Sequence, residues 1–128
     1  MTPTELRDRL SRDPAAAALR LAVLHGSRAR GDAAEGSDWD IGVLADDPPD
    51  LPALSATLTG ILGTDEVDVV DLSQASALLR YRAARDGIPL LERPSGEFQR
   101  FQLAAVAFWC DIETVIRSAH NDVLAALG

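Results

Sequence analysis

The chain is poor in the residues that build disulfide frameworks and closed metal clusters. It holds one cysteine, Cys110, and two histidines. A lone thiol excludes an internal disulfide and fits a reducing compartment. One cysteine and two histidines make no zinc cluster at any standard spacing. Cys110 has no basic neighbour in sequence to lower its pKa, so it reads as a helix-packing residue and not a reactive thiol. Long apolar runs are missing too, with nothing near the ~20 residues of a membrane span. The opening MTPTELRDRLSRD is charged where a secretory signal would be apolar. The expectation is a cytoplasmic protein without membrane contact. Basic residues number 12 against 20 acidic ones, giving a net charge of −8 and a pI near 4.6. Domains that grip nucleic acid through phosphates are usually basic, so no direct nucleic-acid contact is expected. A basic protein partner remains compatible.

At 128 residues, 47% of them apolar, the chain can fill one core and little more, and it is read as a single domain over 1–128. Its organising stretch is LAVLHGSRARGDAAEGSDWDIGVLA, residues 21–45. The apolar run over 21–24 is too short for a helix and marks a buried strand. Gly26-Ser27 turns the chain, and a short helical turn is expected to start there. Its leading N–H groups, the close approach Gly26 allows and the Ser27 hydroxyl all suit a phosphate. Arg28 and Arg30 bring positive charge to the same place. The plainer readings are an N-cap for Ser27 and a solvated loop for the arginines. His25 reads as a packing or hydrogen-bonding residue at a strand end, with a general base as the lesser alternative. A turn is expected over 33–37. Asp38 and Asp40 then flank Trp39 on a second strand. Alternate residues share a face, so both carboxylates point one way, and Trp39, Ile41 and Val43 point to the core. Neighbouring carboxylates repel unless a cation lies between them. A hard divalent ion such as Mg²⁺ takes one or two carboxylates plus substrate phosphates.

Gly-Ser, ten residues, then Asp-x-Asp between two strands resembles the signature of the polymerase-beta-like nucleotidyltransferase superfamily. The fuller string GSRARGD…GSDWDIGVL is similar to its minimal nucleotidyltransferase (MNT) branch, antitoxins paired with HEPN-domain toxins. The resemblance covers roughly residues 19–92, the expected core. It implies a third carboxylate on the strand after the next helix, in a V-D-hydrophobic-hydrophobic setting that matches Asp68. With Asp38 and Asp40, Asp68 would hold two Mg²⁺ ions and accept a proton from the attacking hydroxyl. Gly26 and Ser27, helped by Arg28 or Arg30, would hold the β- and γ-phosphates of ATP. Asp71 lies three positions beyond Asp68 and so faces the opposite way; it reads as a helix cap, with Ser73 competing.

The remaining elements follow from periodicity and punctuation. A capping box, Thr2-Pro3-Thr4-Glu5, starts a helix carrying Leu6 and Leu10. Asp13-Pro14 suits the cap of a second short helix over 15–18. After a Pro-rich acidic loop, a helix over 51–62 shows Leu54, Leu58 and Ile61-Leu62 on one stripe and stops at Gly63. A strand over 66–72, a helix over 73–86 and a Pro-bearing edge strand over 88–92 follow. The helix over 97–127 would span ~45 Å. Either it completes the core, or part of it around Phe101, Trp109 and Ile116 is exposed to bind a partner helix or a second copy; mixed use is expected. Together these predict an α/β (α+β) domain: a small mixed sheet of about four strands flanked by helices, with a long C-terminal helix.

The expected activity is Mg²⁺-dependent transfer of AMP from ATP to a hydroxyl of a cognate HEPN toxin, a tyrosine by the resemblance, silencing that ribonuclease. An antitoxin that acts by binding alone, and a transferase for small molecules such as aminoglycosides, are the alternatives.

Overall fold

Thr2 and Glu5 cap each other reciprocally at 3.1 Å, each side chain accepting the other's N–H, and so start helix α1 (Pro3–Ser11). The computed structural model describes residues 1–34 and 36–127. Glu35 lies outside them, so the turn expected over 33–37 is described without that residue, and the domain without Gly128. Asp13 accepts the Ala15 N–H as foreseen, but what it caps is a single 3-10 turn, Pro14–Ala16, and not a helix over 15–18. Strand β1 (Leu19–His25) runs one residue past Leu24 into the turn. Helix α2 (Ser27–Arg30), β2 (Trp39–Ala45), α3 (Leu51–Leu62), β3 (Val67–Asp71), α4 (Ala77–Asp86), β4 (Ile88–Glu92) and α5 (Glu97–Leu127) complete the order.

The four strands form one mixed sheet in the order β3-β2-β1-β4. β1 pairs antiparallel with β2 and β4, and β2 pairs parallel with β3. β4, with its Pro89, sits at an edge as its sequence requires. Both faces of the sheet are buried. One packs Trp39, Ile41 and Val43 against Leu6 and Leu10 of α1 and Leu54 and Leu58 of α3. The other packs Leu21 and Val23 against Leu72, Ala83 and Ala84 and against Phe101 and Ala105 of α5. The face that bears the strand carboxylates therefore also has a core, closed by α4 and the first turns of α5.

Three expectations are corrected here. Helix α4 begins at Ala77, not Ser73, and its cap is Ser76, which accepts the Leu79 N–H at 3.1 Å. Asp71 instead accepts the Ser73 N–H and hydroxyl in a local turn. Cys110 is exposed on α5 rather than packed.

Mixed use of α5 is observed, with a different division of residues. Phe101 is buried, 7% exposed, so it belongs to the core. Trp109 stacks on Tyr81 of α4 with centroids 5.6 Å apart. Past that contact, Val115, Ile116, Val123, Leu124 and Leu127 are all more than half exposed, between 53% and 80%. No helix among the described residues is long and apolar enough to cross a membrane.

Candidate active site

The site lies where β1 ends and where β2 and β3 begin. Register places His25 opposite Asp40, and Asp40 beside Asp68, in one row across three strands. Directly paired residues share a face, so this row points toward α4. Gly26 follows at φ +71 and ψ −156, a conformation open to glycine and strained for other residues. A Cβ at Gly26 would overlap the Asp40 carboxylate, so backbone and carboxylate meet only because the side chain is missing. α2 is one helical turn with Gly26 at its N-cap position and no side-chain cap, which leaves Ser27 as its first residue and not its cap. As at any helix start, the leading N–H groups lack intrahelical partners.

His25, Gly26, Arg30, Asp40 and Asp68 form one side of a cleft of about 310 Å³; Ser76, Leu78, Leu79, Arg82 and Asp86 form the other. Asp38 stands at its edge. It is exposed, precedes β2 by one residue, and meets Glu66, whose pKa is raised by a hydrogen bond to Asp38 and by that residue's charge. Sequence reasoning did not single out Glu66, because only the parallel β2–β3 register brings it there. The Trp39 N–H donates to the Glu66 carbonyl at 2.8 Å and fixes that alignment.

Burial raises the pKa of Asp40. His25 opposes this, Asp68 and Asp38 add to it, and Arg30 lowers it again. Burial depresses the pKa of His25 against the pull of Asp40 and Asp68, and its Nε2 is buried without a partner among the described residues. A half-buried carboxylate crowded by two others is a donor set of hard oxygens with excess negative charge, which fits a divalent cation. Among the described residues no three carboxylate or imidazole groups stand close enough together to enclose an ion. The strand pair Asp40 and Asp68 is the part already aligned.

The two arginines differ. Arg28 donates through Nε and Nη2 to the Ser37 carbonyl at 3.1 and 2.8 Å and lies over the Trp39 ring at 4.3 Å. It ties the loop before Asp38 to β2. Arg30 is exposed on the cleft, with Asp32 at 3.2 Å. Arg28→Ala should therefore lower stability by about 1–2 kcal/mol through the lost charged hydrogen bonds and ring contact. Thermal melting and amide exchange of residues 32–38 would check this; an unchanged melting point would remove the tether role.

A larger hollow, about 590 Å³, lies on the same sheet face between Arg20, Arg80, Arg100, Phe101 and Phe108. Its arginines are engaged: Arg20 and Arg100 with buried Glu97, Arg80 with the Ser73 and Ala75 carbonyls. Size does not select the site here; the free carboxylates are in the smaller cleft.

The chain is similar to known proteins in sequence and in fold. A protein adenylyltransferase MntA from Aphanizomenon flos-aquae (strain 2012/KM1/D3) is 38% identical, over 82% of this chain and 78% of that protein. A crystal structure of a toxin–antitoxin with AMP-PNP superposes with a TM-score of 0.75 at 29% identity, covering 93% of this chain and 96% of the other. The MNT antitoxin complexed with a tri-AMPylated HEPN toxin of Shewanella oneidensis gives 0.69 at 26% identity, covering 96% and 99%. The family model of the polymerase beta nucleotidyltransferases matches residues 7–95, from α1 through β4 and every strand of the cleft, and the chain belongs to that family.

Proposed function

We propose that this protein transfers AMP from ATP to a hydroxyl of a cognate HEPN-family toxin, a tyrosine in our reading, and thereby neutralises it. The observation that carries the proposal is the row of Asp40 and Asp68 beside a backbone turn made tight by Gly26. The names of the relatives, an adenylyltransferase and an antitoxin bound to an AMPylated toxin, support the same substrate pair. Asp40, Asp68 and, from the edge, Asp38 would hold two Mg²⁺ ions. When bound, these supply Lewis-acid polarisation of the α-phosphate and neutralise the leaving pyrophosphate. The Gly26-Ser27 turn orients the phosphates through its leading amides and the Ser27 hydroxyl, with Arg30 facing them from α2 and Arg28 holding the loop. Asp68, exposed at the rim, accepts the proton of the attacking hydroxyl. The hydroxyl oxygen bonds to the α-phosphorus as the bond to the β-phosphate oxygen breaks, and pyrophosphate departs. ATP and a toxin as substrates support a cytoplasmic location in this reading.

The bare distal face of α5 favours a further contribution from binding itself. The face that packs Phe101 and Ala105 onto the sheet continues past the body as Ile112, Val115, Ile116 and Val123. Solved relatives in toxin complexes align along nearly the whole chain, α5 included, which supports this face as the toxin's seat.

Intact mass of the toxin after incubation with this protein, ATP and Mg²⁺ tests the reading. One or more added adenylates, absent with Asp40→Asn, is the expected result. An unmodified toxin held in a stable complex would replace catalysis by binding alone.

A further inference from the structure

The wall of the cleft facing the carboxylates is built by α4, and nothing in the motif of β1 and β2 foretells it. Leu78, Arg82 and Asp86 recur every fourth residue and so share one helix face, with Leu79 beside it. This face is graded: leucines toward the helix start, charges toward its end. Leu78 is 38% exposed although it lines a cleft.

The charged end is net positive once its pairs are resolved. Asp86 is gripped through two hydrogen bonds by Arg85, Nε at 3.0 Å and Nη2 at 2.8 Å. Its pKa is depressed first by that hydrogen bonding, against burial, and then by the charges of Arg85, Arg30 and Arg82. Arg30 from α2 and Arg82 from α4 line the same cleft as Asp86, which Arg85 already satisfies. Arg82 is exposed and has no carboxylate within ion-pair distance among the described residues. In a chain of net charge −8, a guanidinium left over at the mouth of an acidic cleft calls for an anion.

Resting on the nucleotidyltransferase reading, we propose that Arg82 and Arg30 clamp the terminal phosphates of the nucleoside triphosphate across the cleft, while Leu78 and Leu79 shelve its base. The guanidinium plane donates in pairs to phosphate oxygens, a geometry that lysine meets only as a point charge. The clamp selects a triphosphate over a monophosphate and sets the nucleotide's direction: phosphates by Gly26 and Arg30, base along the start of α4.

The test is titration calorimetry with Mg²⁺, using a non-hydrolysable ATP analogue and AMP, on wild type, Arg82→Ala and Arg82→Lys. The expected result is roughly ten- to hundredfold weaker binding of the analogue by Arg82→Ala, partial recovery in Arg82→Lys and no change for AMP. In transfer assays KM for ATP rises by the same factor while kcat changes little. Analogue binding unchanged in Arg82→Ala overturns the clamp. An equal loss for analogue and AMP also overturns it, since it marks a structural role. A wild type that binds no analogue at all defeats the nucleotidyltransferase reading instead, which keeps the two failures apart.

Discussion

Replacing Gly26 by alanine should lower stability by about 2 kcal/mol or more and abolish AMP transfer. Two independent penalties fall on one methyl group. At φ +71 and ψ −156 any Cβ meets its own backbone unfavourably. That Cβ would also occupy the place of Asp40 Oδ2. The turn can relax only if Asp40 rotates away, which breaks its alignment with Asp68. Stability and activity are therefore lost together. Gly31, also at positive φ but with open space around it, is the control: alanine there carries the backbone strain without touching a carboxylate. Chemical denaturation and toxin-mass assays on both variants check this. A Gly26→Ala protein that melts like wild type and transfers AMP would contradict the close approach.

Asp40→Asn should act in opposite directions on activity and stability. Transfer falls by roughly a thousandfold or more, because a neutral amide holds a divalent ion poorly. Stability at neutral pH should rise. The Asp40 carboxyl titrates above its ordinary 3.8, chiefly through burial and then through Asp68 and Asp38, with His25 and Arg30 pulling the other way. An acid with a higher pKa in the folded state stabilises the fold fully below the unfolded value and loses that contribution as pH rises through the folded value. Asparagine has no such loss. With a chelator present, the variant should outlast wild type in urea near pH 7, and the gap should close as pH falls toward 3.8. Overlapping curves at every pH would deny that Asp40 is held against its charge; retained transfer would remove it from the metal site.

Local chemistry made most of the fold legible in the sequence. Gly63 stops α3 where its sequence ends the stripe, although Asp50, read as part of the acidic loop, is the cap at its start. The alternation in Trp39-Asp40-Ile41 and Val67-Asp68-Val69 shows which side chains go inward. The start of α4 was hidden because Asp71-Leu72-Ser73 imitates a cap. Leu72 is instead drawn under the sheet, filling the space that Gly42 leaves open, and the chain needs three more residues before Ser76 can begin the helix. That is a tertiary constraint with no local signature. The strands of the candidate site could be read the same way, since Asp40 and Asp68 sit where alternation put them. The partners of those residues could not. Glu66 reaches Asp38 through a parallel register, and Arg82 and Asp86 reach the cleft through the way α4 crosses the sheet.

The free half of α5 has a consequence for the lifetime of the molecule. From Thr114 onward every described residue of the helix is exposed, so its hydrogen bonds rest on intrinsic propensity alone. Isolated helices shorter than about 15 residues are marginal in water. Amide protons there will exchange through local fraying, far faster than those near Phe101. A protease meeting the unaccompanied protein will find an extended, apolar substrate in this segment; on the reading proposed above, a toxin seated on it would hide that substrate. On that reading the lone and partnered forms would differ in turnover, by coverage of one helix face rather than by the catalytic cleft.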